Sequence, residues 1–92
     1  MTRTRAHLFI SGMVQGVCYR AYARDAAKQF GLVGWVRNLR NGKVEAVVEG
    51  PREIVERFIS WCHEGPRYAN VSDVNVEWER PSGEFKDFDI SF

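Results

Sequence analysis

The spacing of apolar residues changes several times along the chain, between a period of two and a period near 3.6, which are the repeats of strands and helices. Ala6 to Gly12 alternates, with Leu8 and Ile10 on one face and Phe9 on the other, and predicts a strand that stops at Gly12. Tyr19 to Phe30 places Tyr19, Tyr22, Ala23, Ala26, Ala27 and Phe30 at helical spacing, and Gly31 stands where a left-handed residue closes a helix. Val33 to Leu39 and Lys43 to Glu49 alternate again and are joined through Arg40, Asn41 and Gly42, an Asn-Gly hairpin signal. In the second of these strands the alternation turns Val44, Ala46 and Val48 to the core and Lys43, Glu45 and Glu49 to water.

Gly50 and Pro51 predict a helix entry, because proline at the first helical position gives up only an N–H that has no partner there. Ile54, Val55, Phe58, Ile59, Trp61 and Cys62 form the apolar stripe of this second helix, and Gly65 and Pro66 stop it. Val71 to Glu79 reads as a strand with Val74, Val76 and Trp78 inward. Phe88, Ile90 and Phe92 alternate in a last short strand after a turn at Pro81, Ser82 and Gly83. The order predicts an α+β, ferredoxin-like βαββαβ sandwich, an antiparallel sheet with two helices on one face, plus a short C-terminal strand. No repeat, linker or low-complexity tract interrupts it, so residues 1–92 read as a single domain. This fold hosts many unrelated activities, so function has to come from particular residues.

Charge narrows the partners. Thirteen basic and twelve acidic side chains leave a net charge of +1, too weak a field to favour nucleic acid or a membrane surface over a small substrate. The opening MTRTRAHLFISG has too short an apolar run for a signal peptide, and no segment approaches the roughly 18 apolar residues of a membrane span, which predicts a cytoplasmic protein. Cys18 and Cys62 are too few for a disulfide scaffold and lack zinc-like spacing, so both are expected as reduced thiols. His7 and His63 have no partner at metal-ligand spacing, so no metal site is expected; His63 suits a helix C-terminus. Glu45 and Glu49 share a strand face about 13 Å apart, too far for a glycosidase pair, and read as solvated.

Two stretches carry candidate chemistry. In "GMVQGVCYRAYA", Gly12 to Ala23, a strand gives way to a helix that has none of the usual capping residues at its start. Gly12 and Gly16 allow close backbone approach, and Arg20 projects from the first turn beside the free amides. Taken alone this is an ordinary Gly-rich turn; taken together, amides, helix N-terminus and guanidinium suit an anion of phosphate size. Neither a Walker A loop nor Rossmann glycine spacing is present. The second stretch, "GWVRNLRNGKVEAVVEG", Gly34 to Gly50, is a hairpin in which Asn38, near a strand end, can both donate and accept and so can orient a water.

Together the stretches resemble the acylphosphatase family. Its pattern G-x-V-Q-G-V-x-[FY]-R is matched by Gly12 to Arg20, and G-W-V-R-N-x-x-[DN]-G-x-V-E by Gly34 to Glu45. The similarity continues through "HEGPRYANVSDV". Asn41 stands where the family often has Asp, and Cys18 fills a variable position beside the cradle, where it can make the activity sensitive to oxidation. The resemblance implies hydrolysis of acyl phosphates to a carboxylate and inorganic phosphate, with no cofactor and no metal. It implies that Arg20 and the loop amides of Gln15, Gly16, Val17, Cys18, Tyr19 and Arg20 bind the phosphoryl group and that Asn38 orients the attacking water. The expected partners are a small acyl phosphate and phosphate itself, as product and competitive inhibitor; the chain is expected to act as a monomer. Cys18 is separated from Arg20 only by Tyr19, which does not fit the loop of a cysteine-dependent phosphatase.

A binding module is the alternative class. An RNA-recognition domain shares the fold but needs stacking aromatics on its central strand, and Lys43 to Glu49 offers none. The acylphosphatase-like domain of large hydrogenase-maturation carbamoyltransferases would also keep the cradle.

Overall fold

The computed structural model describes residues 2–91. Its elements follow the predicted order: β1 (Arg3–Met13), α1 (Tyr19–Gln29), β2 (Val33–Asn38), β3 (Val44–Pro51), α2 (Arg52–Glu64), β4 (Asn70–Glu79) and β5 (Phe88–Ile90). Pro51 ends β3 and caps α2 instead of opening it, so the helix begins one residue later than the proline signal implies. Phe92 lies outside the described residues.

The strands form one sheet in the order β4-β1-β3-β2-β5. The first four are antiparallel neighbours, and β5 pairs parallel with β2, which makes the sheet mixed at that edge. One face is apolar: Ala6, Leu8 and Ile10 of β1, Val36 of β2, and Val44, Ala46 and Val48 of β3 bury fully or nearly so beneath the helices. Ala23 and Ala27 of α1 and Val55, Phe58 and Cys62 of α2 supply the opposing stripe, and burial of this apolar area is the main favourable term in folding. The hydroxyl of Tyr19 donates to the Cys62 carbonyl at 2.8 Å, fixing the start of α1 against the end of α2.

Two aromatic residues depart from the periodicity. Tyr22 has the helical spacing of a core residue yet is exposed, because the buried stripe of α1 runs through Tyr19, Ala23 and Ala27 and Tyr22 falls beside it. Trp78 lies in phase with Val74 but is 39% exposed; at that end of β4 it meets the Arg52 guanidinium 3.6 Å above its ring instead of a second apolar layer.

The larger correction concerns the opposite face. Glu45 and Glu49 do share it, but Glu45 is buried and Glu49 has no exposure at all. The reason is topological. β4 and β5 lie at opposite edges, so residues 80–87 must cross the face without helices, a distance of about 19 Å for four strand spacings. That crossing closes over Glu49, which accepts from Arg5 Nε (2.7 Å), Ser82 N–H (2.9 Å) and Gly83 N–H (3.1 Å). Glu45 accepts from Arg37 Nε and pairs with His7 Nε2, each at 2.6 Å. Burial pushes both carboxyls up. For Glu49 the hydrogen bonds from Ser82, Arg5 and Gly83 outweigh it, and for Glu45 those with His7 and Arg37 do, so both end below the usual carboxylate value.

Groups whose pKa is lower in the folded state stabilise the fold above their ordinary value of 4.5, and that contribution is lost as pH falls through the folded-state value. Replacing Glu49 with alanine is expected to lower unfolding stability at neutral pH by about 3 kcal/mol, since Arg5 loses its buried partner. It should also make stability less steep with pH on the acid side; urea unfolding at several pH values measures both. A second prediction follows from the thiols. Cys18 is exposed, whereas burial pushes the Cys62 thiol up to about 12. Disulfide reagents are expected to label one thiol of the folded chain, at Cys18, and the other only in denaturant.

Candidate functional site

The pairing of β3 with both β1 and β2 brings two connections to one end of the sheet. Val44 lies opposite Ile10 on one side and Asn38 on the other, so the three share a rung that spans about 10 Å. Ile10 and Val44 face the helices, and Asn38 on the same rung points to the same side. The β1–α1 turn therefore closes over the end of the sheet where Asn38 lies.

β1 shifts register against β4 between Ser11 and Gly12. At φ +120° Gly12 adopts a conformation L side chains rarely hold, and a Cβ there would stand 2.2 Å from the Asn70 carbonyl oxygen, so glycine is what lets β1 bulge. The chain then anchors through Val14, which is 1% exposed, and turns through Gly16 at φ +76° and Cys18 at φ +61°. Cys18 is left-handed without being glycine, at a cost of about 1–2 kcal/mol. No side chain caps α1, and the first backbone hydrogen bond of the turn runs from Tyr22 N–H to Cys18 O at 3.2 Å. Left-handed residues placed in a turn let successive N–H groups converge on one side, and the helix N-terminus adds its own partial positive charge. Glycine at one of these positions and a strained cysteine at the other give the turn its left-handed backbone next to the uncapped start of α1.

A cleft of about 380 Å³ opens at this place. Val14, Gly16 and Cys18 line it from the β1–α1 connection, Tyr19, Arg20 and Ala21 from α1, and Asn38 and Ile90 from the strand ends. Among the described residues, the Asn38 Oδ1 atom is buried with no hydrogen-bond partner, an acceptor that water or a ligand must satisfy. The cleft thus unites Gly16, Cys18, Tyr19, Arg20 and Asn38, all expected from the sequence. The side chain of Val17 packs against the core and that of Gln15 reaches the β2–β3 hairpin, while the expectation for these two concerns their backbone amides. Ile90 gave no signal in the sequence; it reaches the cleft because β5 pairs with β2 opposite Val36.

The face without helices holds a second titratable cluster. Pairing of β1 with β4 sets His7 beside Glu77, and with Glu79 the three offer ligand atoms within 4.8 Å of one another. Spacing along the chain showed no such partners for His7. With Nε2 on Glu45 at 2.6 Å and Nδ1 3.3 Å from Glu79, His7 belongs to the ion-pair network of that face, apart from the cleft.

The acylphosphatase family model matches residues 6–90. The acylphosphatase of Roseiflexus sp. (strain RS-1) is 54% identical over 98% of this chain and 97% of its own length. The solved acylphosphatase of Coxiella burnetii superposes with a TM-score of 0.91 at 39% identity, over 97% of this chain and 93% of that one. Full-length HypF, solved in its phosphate- and nucleotide-bound form, matches with a TM-score of 0.86 at 26% identity; 99% of this chain corresponds to 12% of HypF. With Gly16, Cys18, Arg20 and Asn38 lining one cleft, and with relatives aligned along nearly their full length, the chain belongs to the acylphosphatase family, enzymes that hydrolyse acyl phosphates.

Proposed function

We propose that the cleft hydrolyses small acyl phosphates by direct attack of water on phosphorus. Arg20 and the backbone amides of Gln15 to Arg20 hold the phosphoryl oxygens, and Asn38 orients the nucleophile. The observation that carries this reading is the unpartnered Asn38 Oδ1 in the same cleft as Arg20, since an acceptor so placed receives an O–H of a water and aims its lone pair at a phosphoryl group held in the cradle. Phosphoryl transfer asks mainly for positioning and for stabilisation of charge on the equatorial oxygens. A planar guanidinium beside converging N–H groups supplies the second. The P–O bond to the acyl group breaks as the water oxygen bonds to phosphorus. The leaving carboxylate is a weak base and needs no acid to protonate it, and a phosphoryl oxygen takes the water's proton. Products are a carboxylate and inorganic phosphate, which retains the affinity of the cradle and inhibits competitively.

Full-length HypF was solved in a phosphate- and nucleotide-bound form, and 12% of its chain matches this one. It also supplies the competing reading, a module that binds without turnover. Release of phosphate from benzoyl phosphate separates the two.

Asn38→Ala is expected to stay folded and to bind phosphate with an unchanged inhibition constant, while kcat on benzoyl phosphate falls about 100-fold or more. A folded variant with ordinary turnover removes Asn38 from the mechanism. Arg20→Lys is expected to weaken phosphate inhibition, because an ammonium does not reproduce a two-point planar contact; backbone amide shifts on adding phosphate should be largest from Gln15 to Arg20 in the parent chain.

A further inference from the structure

The geometry points to Gln15 as a positioning residue, acting through its side-chain amide to set where Asn38 holds the water relative to the phosphate cradle. This rests on the reading of Asn38 given above. Both hydrogens of the Gln15 Nε2 amide are used: one goes to the Leu39 carbonyl at 2.7 Å, the other to the Lys43 carbonyl at 2.9 Å. These carbonyls flank the β2–β3 turn, and Leu39 follows Asn38 directly in the chain. Gln15 itself opens the cradle segment that ends at Arg20. One side chain thus ties the part of the site that holds phosphate to the part that holds water, across a gap that no strand pairing bridges at this height, since β1 and β2 are both hydrogen-bonded to β3 and not to each other.

The hairpin does not need Gln15 in order to close. Leu39 N–H donates to Lys43 O at 2.8 Å, Gly42 N–H to Leu39 O at 3.2 Å, and Lys43 N–H to the Asn41 Oδ1 atom at 3.0 Å. These bonds fix the turn within itself, while the sheet sets Asn38 on the rung of Val44 and Ile10, two strands from the end of β1. The Gln15 amide joins the cradle segment to the turn directly, and an in-line attack is sensitive to the distance between them, since displacement of a reacting group by about 1 Å can cost 100-fold in rate. Phosphate binding, by contrast, uses Arg20 and the loop amides and does not depend on the hairpin.

The test is a double-mutant cycle of Gln15→Met and Asn38→Ala, read as kcat and KM on benzoyl phosphate with the phosphate inhibition constant. Methionine keeps the length of the side chain and removes both donors. Gln15→Met is expected to lower kcat about tenfold with the inhibition constant held within about threefold, and to lower it by less than about twofold when Asn38 is already alanine, because no oriented water is left to misplace. Gln15→Asn keeps the amide on a stem one methylene shorter and should give the same split at smaller size, which preserves the test if the methionine variant folds poorly. Unchanged kcat in Gln15→Met overturns the proposal, as does a rise in the inhibition constant that matches the loss of turnover. A full Gln15→Met penalty in an Asn38→Ala protein that is itself slow overturns the positioning role alone. An Asn38→Ala protein of ordinary turnover overturns the reading of Asn38, and this proposal with it.

Discussion

β3 lies between two strands that run in the same direction, and that pairing decides where everything else goes. An antiparallel strand inserted between β1 and β2 forces their C-terminal ends to the same edge of the sheet, two strand spacings apart. The chain leaving β1 must then enter a helix on one face, and the chain leaving β2 must turn back at once into β3. A helix N-terminus and a hairpin end are thereby set opposite each other across the cleft. Burial of Ile10, Val36, Val44 and Val48 against the helices holds this register, because a slip of one residue would turn the apolar set outward. The cleft is a by-product of the core.

Much of this was legible because it is local. The Asn41-Gly42 turn, the glycine closing α1, the Gly65 stop of α2 and the alternation in β1 and β3 each declare themselves within a few residues. The bend of the segment that lines the cleft was legible too, since Gly12, Gly16 and Arg20 belong to one short stretch. What stayed hidden depends on residues that meet only after folding. Glu45 and Glu49 look solvated because charge at alternating positions normally faces water; of their actual partners, Arg37 lies across the hairpin, but His7, Arg5 and Ser82 lie far away along the chain. The side-chain reach of Gln15 to Leu39 and Lys43 is invisible for the same reason, as is the arrival of Ile90 at the cleft.

The buried carboxylates show how the two faces of the sheet differ. Under the helices, cohesion comes from apolar area and is indifferent to pH. On the other face it comes from fixed donors around Glu45 and Glu49, and such contacts are directional: they select one path for residues 80–87 where an oily surface would tolerate several. That path delivers β5 to its place beside β2, so Ile90 stands at the cleft partly because Glu49 holds Ser82 and Gly83 at the opposite side of the sheet.

The position of β1 also bears on how the chain is made. Its two neighbours are β3 and β4, and Arg5 ends up opposite Glu79. A ribosome releases residues 3–13 long before residues 70–79 exist, so during synthesis one edge of β1 can pair while the other waits as an open template. Pairings between segments so distant carry a high loop-closure cost before they return any stability, which makes such sheets slow to complete and prone to capture by other nascent chains. The polar residues alternating along the outer face of β1, Arg5 and His7 among them, keep the waiting strand half hydrophilic until β4 arrives.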